Sequence, residues 1–239
     1  PQLIPAHLPQ GYYTKTGTVL LRKDSAKEGQ SLLIFMRELG PRWAGAPRAN
    51  AKNRFGGATE PLTWARYSLY QSPTKLYLQD AEVREDFLTL RESGGTLLCA
   101  MRLYKLTARE APAGCENDAL LRALWSALVQ LREKCPTAAV EFRYTWKFLN
   151  LMGLAPSYDI CASCGARLSE RGVMTKEGVF CASCAKNGGL SMDDAELAEL
   201  RAAALLPHEK FLLWSKEPRK NENFLKNIKL LSPYFANMR

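Results

Sequence analysis

The chain reads Cys161-Ala162-Ser163-Cys164-Gly165 and, with sixteen residues between the two motifs, Cys181-Ala182-Ser183-Cys184. Two Cys-x-x-Cys knuckles at this separation match the spacing of a four-cysteine zinc site. Two residues between cysteines let both sulfurs of one tight turn face a single ion, and the insert lets the second turn complete a tetrahedron. Gly165 suits the left-handed backbone position that follows such a turn. Two redox-active pairs or two disulfides are the rival readings of the same residues. The only histidines, His7 and His208, lie far from the knuckles in sequence. A site of four thiolates is closed, so the metal reads as structural, a staple for a segment too small and polar to hold a core of its own.

Upstream of the knuckles the pattern is helical. Glu116-Asn117-Asp118 precedes Leu120, Leu121, Leu124, Leu128 and Leu131, apolar residues at three- and four-residue steps. Pro136-Thr137 opens a further helix carrying Val140, Phe142, Tyr144, Trp146, Phe148 and Leu149, which Gly153 and Pro156 terminate. Ala81–Arg91 is read as an earlier helix, and Thr96–Leu106 fits helix or strand. Downstream, Ser191 is the expected cap of a helix through Leu206, Pro207 opens a short one, and Asn221–Phe235 forms the last. These apolar stripes describe a helical core.

Residues 12–78 read differently. Runs of β-branched and aromatic residues at Tyr12–Leu21, Ser31–Met36, Thr63–Tyr70 and Lys75–Leu78 are punctuated by Gly29, Gly40-Pro41 and Ser72-Pro73. Several short strands with no room for crossover helices predict a small barrel. The expected organisation is thus α+β and multidomain: a barrel over residues 1–80, then a helical domain over 81–239 with the zinc module inserted at 158–188. Gly40–Gly57 reads as a long loop bearing Arg42, Arg48, Lys52 and Arg54 with Trp43 and Phe55, and no acidic residue. Loops that long in compact domains are commonly functional.

The net charge is +9, from 33 basic and 24 acidic residues. Residues 1–80 hold 11 Lys/Arg against 5 Asp/Glu, whereas residues 81–160 are balanced at 10 and 10. A positive field concentrated on the barrel points to a polyanion, nucleic acid before membrane. The start of the chain, Pro1 to His7, has neither the basic nor the apolar region of a signal peptide, and no apolar run is long enough to span a bilayer. Cys99, Cys115 and Cys135 lack motif spacing and read as buried thiols in a reduced, cytoplasmic protein. No phosphate loop, dinucleotide fingerprint or nucleophile elbow occurs, and Asp193-Asp194 fits a helix start better than a two-metal centre.

This order of parts resembles the bacterial recombination mediator family RecO. The resemblance rests on Phe142-Arg-Tyr-Thr-Trp-Lys-Phe-Leu149 running through Gly153 and Pro156 into Cys161-Ala-Ser-Cys164-Gly165, and on Phe35-Met-Arg37-Glu38-Leu39-Gly40 and Arg54-Phe55-Gly56-Gly57. It implies an OB-fold barrel and one structural Zn2+ held by Cys161, Cys164, Cys181 and Cys184. It also implies a cytoplasmic, nucleoid-associated protein that is not an enzyme. Such a protein binds single- and double-stranded DNA, anneals complementary strands and, with RecR, helps load RecA onto DNA coated by single-stranded-DNA-binding protein. The expected DNA contacts are Arg22, Lys23, Lys27, Arg37, Arg42, Arg48, Lys52, Arg54 and Arg66, with Trp43 and Phe55 as base-stacking candidates. Lys210, Lys216, Arg219 and Lys220 are the expected contacts for the acidic tail of single-stranded-DNA-binding protein. Two other function classes fit the residues: a zinc-stapled adaptor for acidic peptides and a metal-dependent nuclease.

Overall fold

The computed structural model describes residues 7–25, 29–49, 54–168, 171–185, 188–217 and 221–238. The chain divides into two compact units, Pro1–Trp125 and Ser126–Arg239. In the first, β1 (Gly11–Ser25), β2 (Gly29–Met36), β3 (Gly40–Ala46), β4 (Thr63–Gln71) and β5 (Leu76–Asp86) close into a barrel in the order β1-β2-β3-β5-β4. All neighbours are antiparallel except β3 and β5, which meet through Ala44–Leu76 and Gly45–Tyr77. This is the five-stranded Greek-key arrangement of an OB fold. Alternate residues point inward, so Leu32, Ile34 and Met36 of β2 meet Ala44 and Ala46 of β3 and Ala65, Tyr67 and Leu69 of β4 in one core.

Two expectations needed correction here. The Gly40–Gly57 stretch is not a loop throughout, because its first seven residues form β3. Gly-Pro-Arg-Trp-Ala-Gly-Ala has no β-branched residue; pairing with β2 along its full length makes it a strand. Ala81–Arg91 is likewise not a helix. β5 continues to Asp86 against β4, and a 3-10 turn covers Leu88–Glu92. The ambiguous segment after it is helical, α1 (Gly94–Glu110). Its Tyr104 hydroxyl lies 2.8 Å from the Thr18 hydroxyl, which also donates to the Thr63 carbonyl at 2.8 Å, tying α1 to β1. Gly40 is obligatory in this unit. Its φ is +67°, and a Cβ there would lie 1.9 Å from the Cys115 carbonyl oxygen.

α2 (Asp118–Arg132) contains the division between the units. In the second unit α3 (Thr137–Leu151) is buried on nearly every side and packs against α4 (Asp194–Leu205) and α6 (Asn221–Leu231), with α5 (His208–Trp214) between those two in sequence. Phe142 stacks at 5.9 Å on Tyr158 and at 5.7 Å on Phe224, while Phe148 meets Phe235 at 5.2 Å. The cap of α4 is Asp193 rather than Ser191. Asp193 accepts from the Glu196 N–H at 2.8 Å, and the Glu196 carboxylate accepts from the Asp193 N–H at 3.1 Å. α6 stops at Leu231, before Pro233, and a 3-10 turn covers Ser232–Met238. Among the described residues no helix is long and apolar enough to cross a membrane.

One group in this unit titrates in an informative place. Burial, and then the nearby Arg143 cation, pull the Lys147 ammonium down to about 8. The unfolded chain therefore holds that proton up to an ordinary lysine pKa near ~10.4. Stability should rise as pH climbs from about 8 towards about 10.4, because the unfolded state binds more protons across that window. Lys147→Met is expected to raise the melting temperature at pH 7 by roughly 2 °C, and the gain should vanish by about pH 10. Thermal denaturation of both proteins across that range checks it; a gain independent of pH would contradict the burial account.

Candidate metal centre and nucleic-acid interface

β6 (Arg171–Met174), β7 (Val179–Cys181) and β8 (Leu190–Asp193) form a small sheet in the order β7-β6-β8. The first knuckle precedes this sheet and the second begins at Cys181, the last residue of β7. Gly165, at φ +72°, donates its N–H to the Cys161 carbonyl at 3.0 Å, and Cys161 donates to Ala166 at 2.8 Å, closing the first turn. The second turn closes through Cys184 and Ala185, whose N–H groups reach the Cys181 carbonyl at 3.1 and 2.9 Å. A bond from the Ala162 N–H to the Val179 carbonyl, 2.8 Å, clamps one knuckle on the other.

The result is that all four sulfurs, of Cys161, Cys164, Cys181 and Cys184, lie within 4.8 Å of one another, with Cys164 and Cys181 3.9 Å apart. Sulfurs around a tetrahedral ion at ~2.3 Å would sit just under ~4 Å apart, so the set fits a single metal ion. The four sulfurs would need a cation if all were ionised. Backbone N–H groups, first that of Cys164 and then that of Cys181, draw Cys161 down to about 6, whereas crowding by Cys181 and Cys164 pushes Cys184 up to about 12. Four thiolates this close can coexist only around a positive charge. The centre is fastened to the helices by several bonds. Arg201 of α4 donates to the Tyr158 and Leu168 carbonyls at 2.9 and 3.0 Å and pairs with Asp159 at 2.6 Å, and Tyr234 donates to the Thr175 carbonyl at 3.0 Å. Cys99, Cys115 and Cys135 are buried thiols.

On the barrel, the basic residues singled out by sequence fall into distinct settings. Lys27 and Lys52 lie outside the described residues. Lys23 is exposed on β1, its ammonium 5.1 Å from the centre of the Trp43 ring. Arg48 and Arg66 are exposed, the latter paired across strands with Glu82. The others make contacts within the protein. Arg22 is ion-paired with Glu60, and Arg37 lies 3.5 Å from Asp118 and 3.8 Å from Glu38. Lys15 bonds the same Glu38 and holds its carboxyl below the usual range. Arg42 donates to the Leu39 and Gly114 carbonyls at 3.1 and 3.0 Å, and burial lowers its pKa. Arg54 donates to Pro47 and Gln79 at 3.0 and 3.2 Å while its guanidinium lies over the Phe55 ring.

The two aromatic candidates separate. Trp43 is 43% exposed, whereas Phe55 is 4% exposed and belongs to the barrel core, which removes its ring from the surface. Trp43 borders an open groove of about 770 Å3 whose lining includes Ser31, Gly45, Lys75 and Tyr77. The groove lies on the outer face of β2 and β3 beside the β4–β5 turn. Its floor is low because the row crossing it is Lys23–Ser31–Gly45–Tyr77 in successive strand pairs. A side chain at Gly45 would touch the Tyr77 ring at 3.4 Å. Sequence reading missed Lys75 and Tyr77 as groove residues, although the alternation of β5 marks Tyr77 as outward-facing. In the helical unit Lys210 and Lys216 are exposed, while Arg219 and Lys220 lie outside the described residues.

Comparison with known proteins places these features. The profile of the family described as Recombination protein O C terminal matches residues 91–236, more than half of the chain. The DNA repair protein RecO of Desulfitobacterium hafniense (strain DSM 10664 / DCB-2) is 26% identical over 182 residues, covering 74% of this chain and 66% of that protein. That of Anaeromyxobacter sp. (strain K) is 30% identical over 176 residues, covering 71% and 69%. That of Geobacter metallireducens is 26% identical over 180 residues, covering 73% and 74%. The matches thus span about two thirds of the length of the first two relatives. With a C-terminal profile match across the helices and the metal centre, and relatives whose similarity reaches most of its length, the chain belongs to the RecO family.

Proposed function

We propose that this chain is a DNA-binding mediator of recombinational repair that acts without catalysing a chemical step. The observation carrying the proposal is the groove over β2 and β3, which occupies the oligonucleotide-binding face of OB folds. Unpaired bases stack on Trp43 and Tyr77, the low floor at Gly45 and Ser31 admits them, and Lys23, Lys75 and Arg48 meet phosphates. Double-stranded DNA is held through phosphates alone. Screening two such strands lets complementary sequences meet, and annealing is downhill, so no nucleotide hydrolysis is required. With RecR, the protein would help load RecA on strands covered by single-stranded-DNA-binding protein, in the bacterial cytoplasm at the nucleoid. The metal in the four-cysteine centre is Zn2+, the ion best matched to a closed set of four thiolates, and its role is structural.

A salt titration of single-strand binding, followed by anisotropy of a labelled oligonucleotide, tests the reading. Affinity should fall with log salt by about 0.7 per phosphate neutralised. The Lys23→Glu, Lys75→Glu double variant should weaken binding to all sequences alike and flatten the slope by about one to two units. Trp43→Ala should cost about 1–3 kcal/mol with the slope unchanged. Binding that ignores salt would overturn the proposal.

A second surface supports a protein partner. Leu213 of α5 is 69% exposed between the exposed Lys210 and Lys216, a pairing suited to an acidic, partly apolar peptide such as the tail of single-stranded-DNA-binding protein. A pulldown with that tail, lost in Lys210→Glu, Lys216→Glu, separates this adaptor role from DNA binding.

A further inference from the structure

The aromatic surface of the barrel continues beyond the groove. Tyr77 of β5 pairs across strands with Tyr70 of β4, and Tyr70 pairs with Tyr12 of β1. Three tyrosines therefore stand side by side at one level of three adjacent strands, all on the outer face. The Tyr12 and Tyr70 ring centres are 4.9 Å apart and tilted by 47°, and the Gln10 amide holds the Tyr70 hydroxyl at 3.0 Å. Cross-strand aromatic pairs do stabilise sheets. That accounts for Tyr70, which is half-buried, but not for Tyr12, which is 81% exposed. A sheet edge gains little from a ring left in water. The level beside the ladder is Thr14–Ser68–Asp80, two hydroxyls and one carboxylate.

We propose that Tyr77, Tyr70 and Tyr12 form a base-stacking track that carries a single strand out of the groove and around the barrel onto β1. The ligand is single-stranded nucleic acid, recognised through the faces of its unpaired bases. This rests on the reading of the groove as a single-strand site and extends it to a surface on other strands of the barrel. The track contributes through stacking rather than charge, so it adds affinity without releasing counterions. It also discriminates. The bases of a duplex already stack on one another and offer no free faces, so the tyrosines favour single over double strands, and the bound strand is held with its bases splayed along protein.

The test uses the full chain with oligothymidylates of about 4 and about 16 nucleotides, the range one such barrel covers, and a hairpin duplex. Tyr12→Ala should bind the longer oligonucleotide at least about fivefold more weakly. The short oligonucleotide and the duplex should be unaffected, and the salt slope should match wild type. Tyr12→Phe, which keeps the ring, should behave as wild type, and thermal melting should show both variants folded. The exposed position of Tyr12 makes it a safer probe than Tyr70. Wild-type affinity of Tyr12→Ala for the longer oligonucleotide would overturn the track, as would an equal loss in Tyr12→Phe. If Trp43→Ala weakens binding while Tyr12→Ala does not, the track falls and the groove stands. If the wild-type chain fails to bind either oligothymidylate, both fall.

Discussion

Cys161→Ser and Cys184→Ser are each expected to release the metal and to melt the segment from Ser157 to Asp193. Metal binding supplies on the order of 10 kcal/mol in four-thiolate modules, comparable with the whole stability of an ordinary domain. A serine oxygen is a poor substitute for a thiolate, and three remaining sulfurs hold the ion far less tightly. Cys161 is the more severe site because it is 2% exposed, at the joint between the knuckles and the helices. The loss should spread, since Arg201 and Tyr234 tie the module to α4 and to the C-terminal turn, and Tyr158 packs on Phe142. Metal content should drop from about one ion per chain to near zero, and the helical unit should melt at lower temperature. Chelation of the wild-type protein should reproduce both effects. Single-strand affinity should change far less, because the proposed groove lies in the other unit. A variant that kept its metal, or that stayed folded while losing DNA binding, would show that the centre has a different task.

Arg143→Ala should destabilise the helical unit by about 3–5 kcal/mol, the second large effect. Arg143 is 1% exposed in the middle of α3. Its guanidinium donates to the Ala203 and Leu206 carbonyls at 2.6 and 2.5 Å, and it lies 4.5 Å from the centre of the Phe211 ring. It thus acts as a side-chain cap for the last turn of α4, where free carbonyls and the negative end of the helix dipole favour a cation. Burial pulls its pKa down to about 10, still charged at neutral pH. Truncation leaves the buried Ala203 carbonyl and the partly buried Leu206 carbonyl without this donor and opens a cavity beside Phe211. Arg143→Lys should recover only part of the loss, because one ammonium cannot reproduce a planar fork stacked on a ring. Denaturant unfolding of the three proteins measures this; a loss below about 1 kcal/mol would show that the cap is dispensable.

The sequence signalled Arg143 only as one polar letter in an aromatic helix. Apolar periodicity locates the helix, but the carbonyls that need a donor come from α4, some sixty residues later. The same limit explains the other differences. β3 has no β-branched residue and is held by its neighbours, and Ala81–Asp86 takes strand form because β4 offers it a partner. Phe55 and Trp43 look alike in a basic stretch, yet inward or outward orientation depends on the closure of the barrel. Four of the six arginines that seemed free for phosphate, Arg22, Arg37, Arg42 and Arg54, prove to be engaged with Glu60, Asp118 or backbone carbonyls.

What the sequence determined by itself is whatever chemistry is written in local spacing: the four cysteines of one metal centre, the aromatic helix leading into them, and the strand-rich, basic character of the first 80 residues. Two cysteines in one turn must converge, so their spacing carries their geometry. The tertiary structure alone decided which residues share a surface. The groove of Trp43, Tyr77 and Gly45 and the ladder of Tyr12, Tyr70 and Tyr77 join strands up to sixty-five residues apart. Cross-strand register, which depends on how the barrel closes, puts those residues on one level, and no local pattern encodes it.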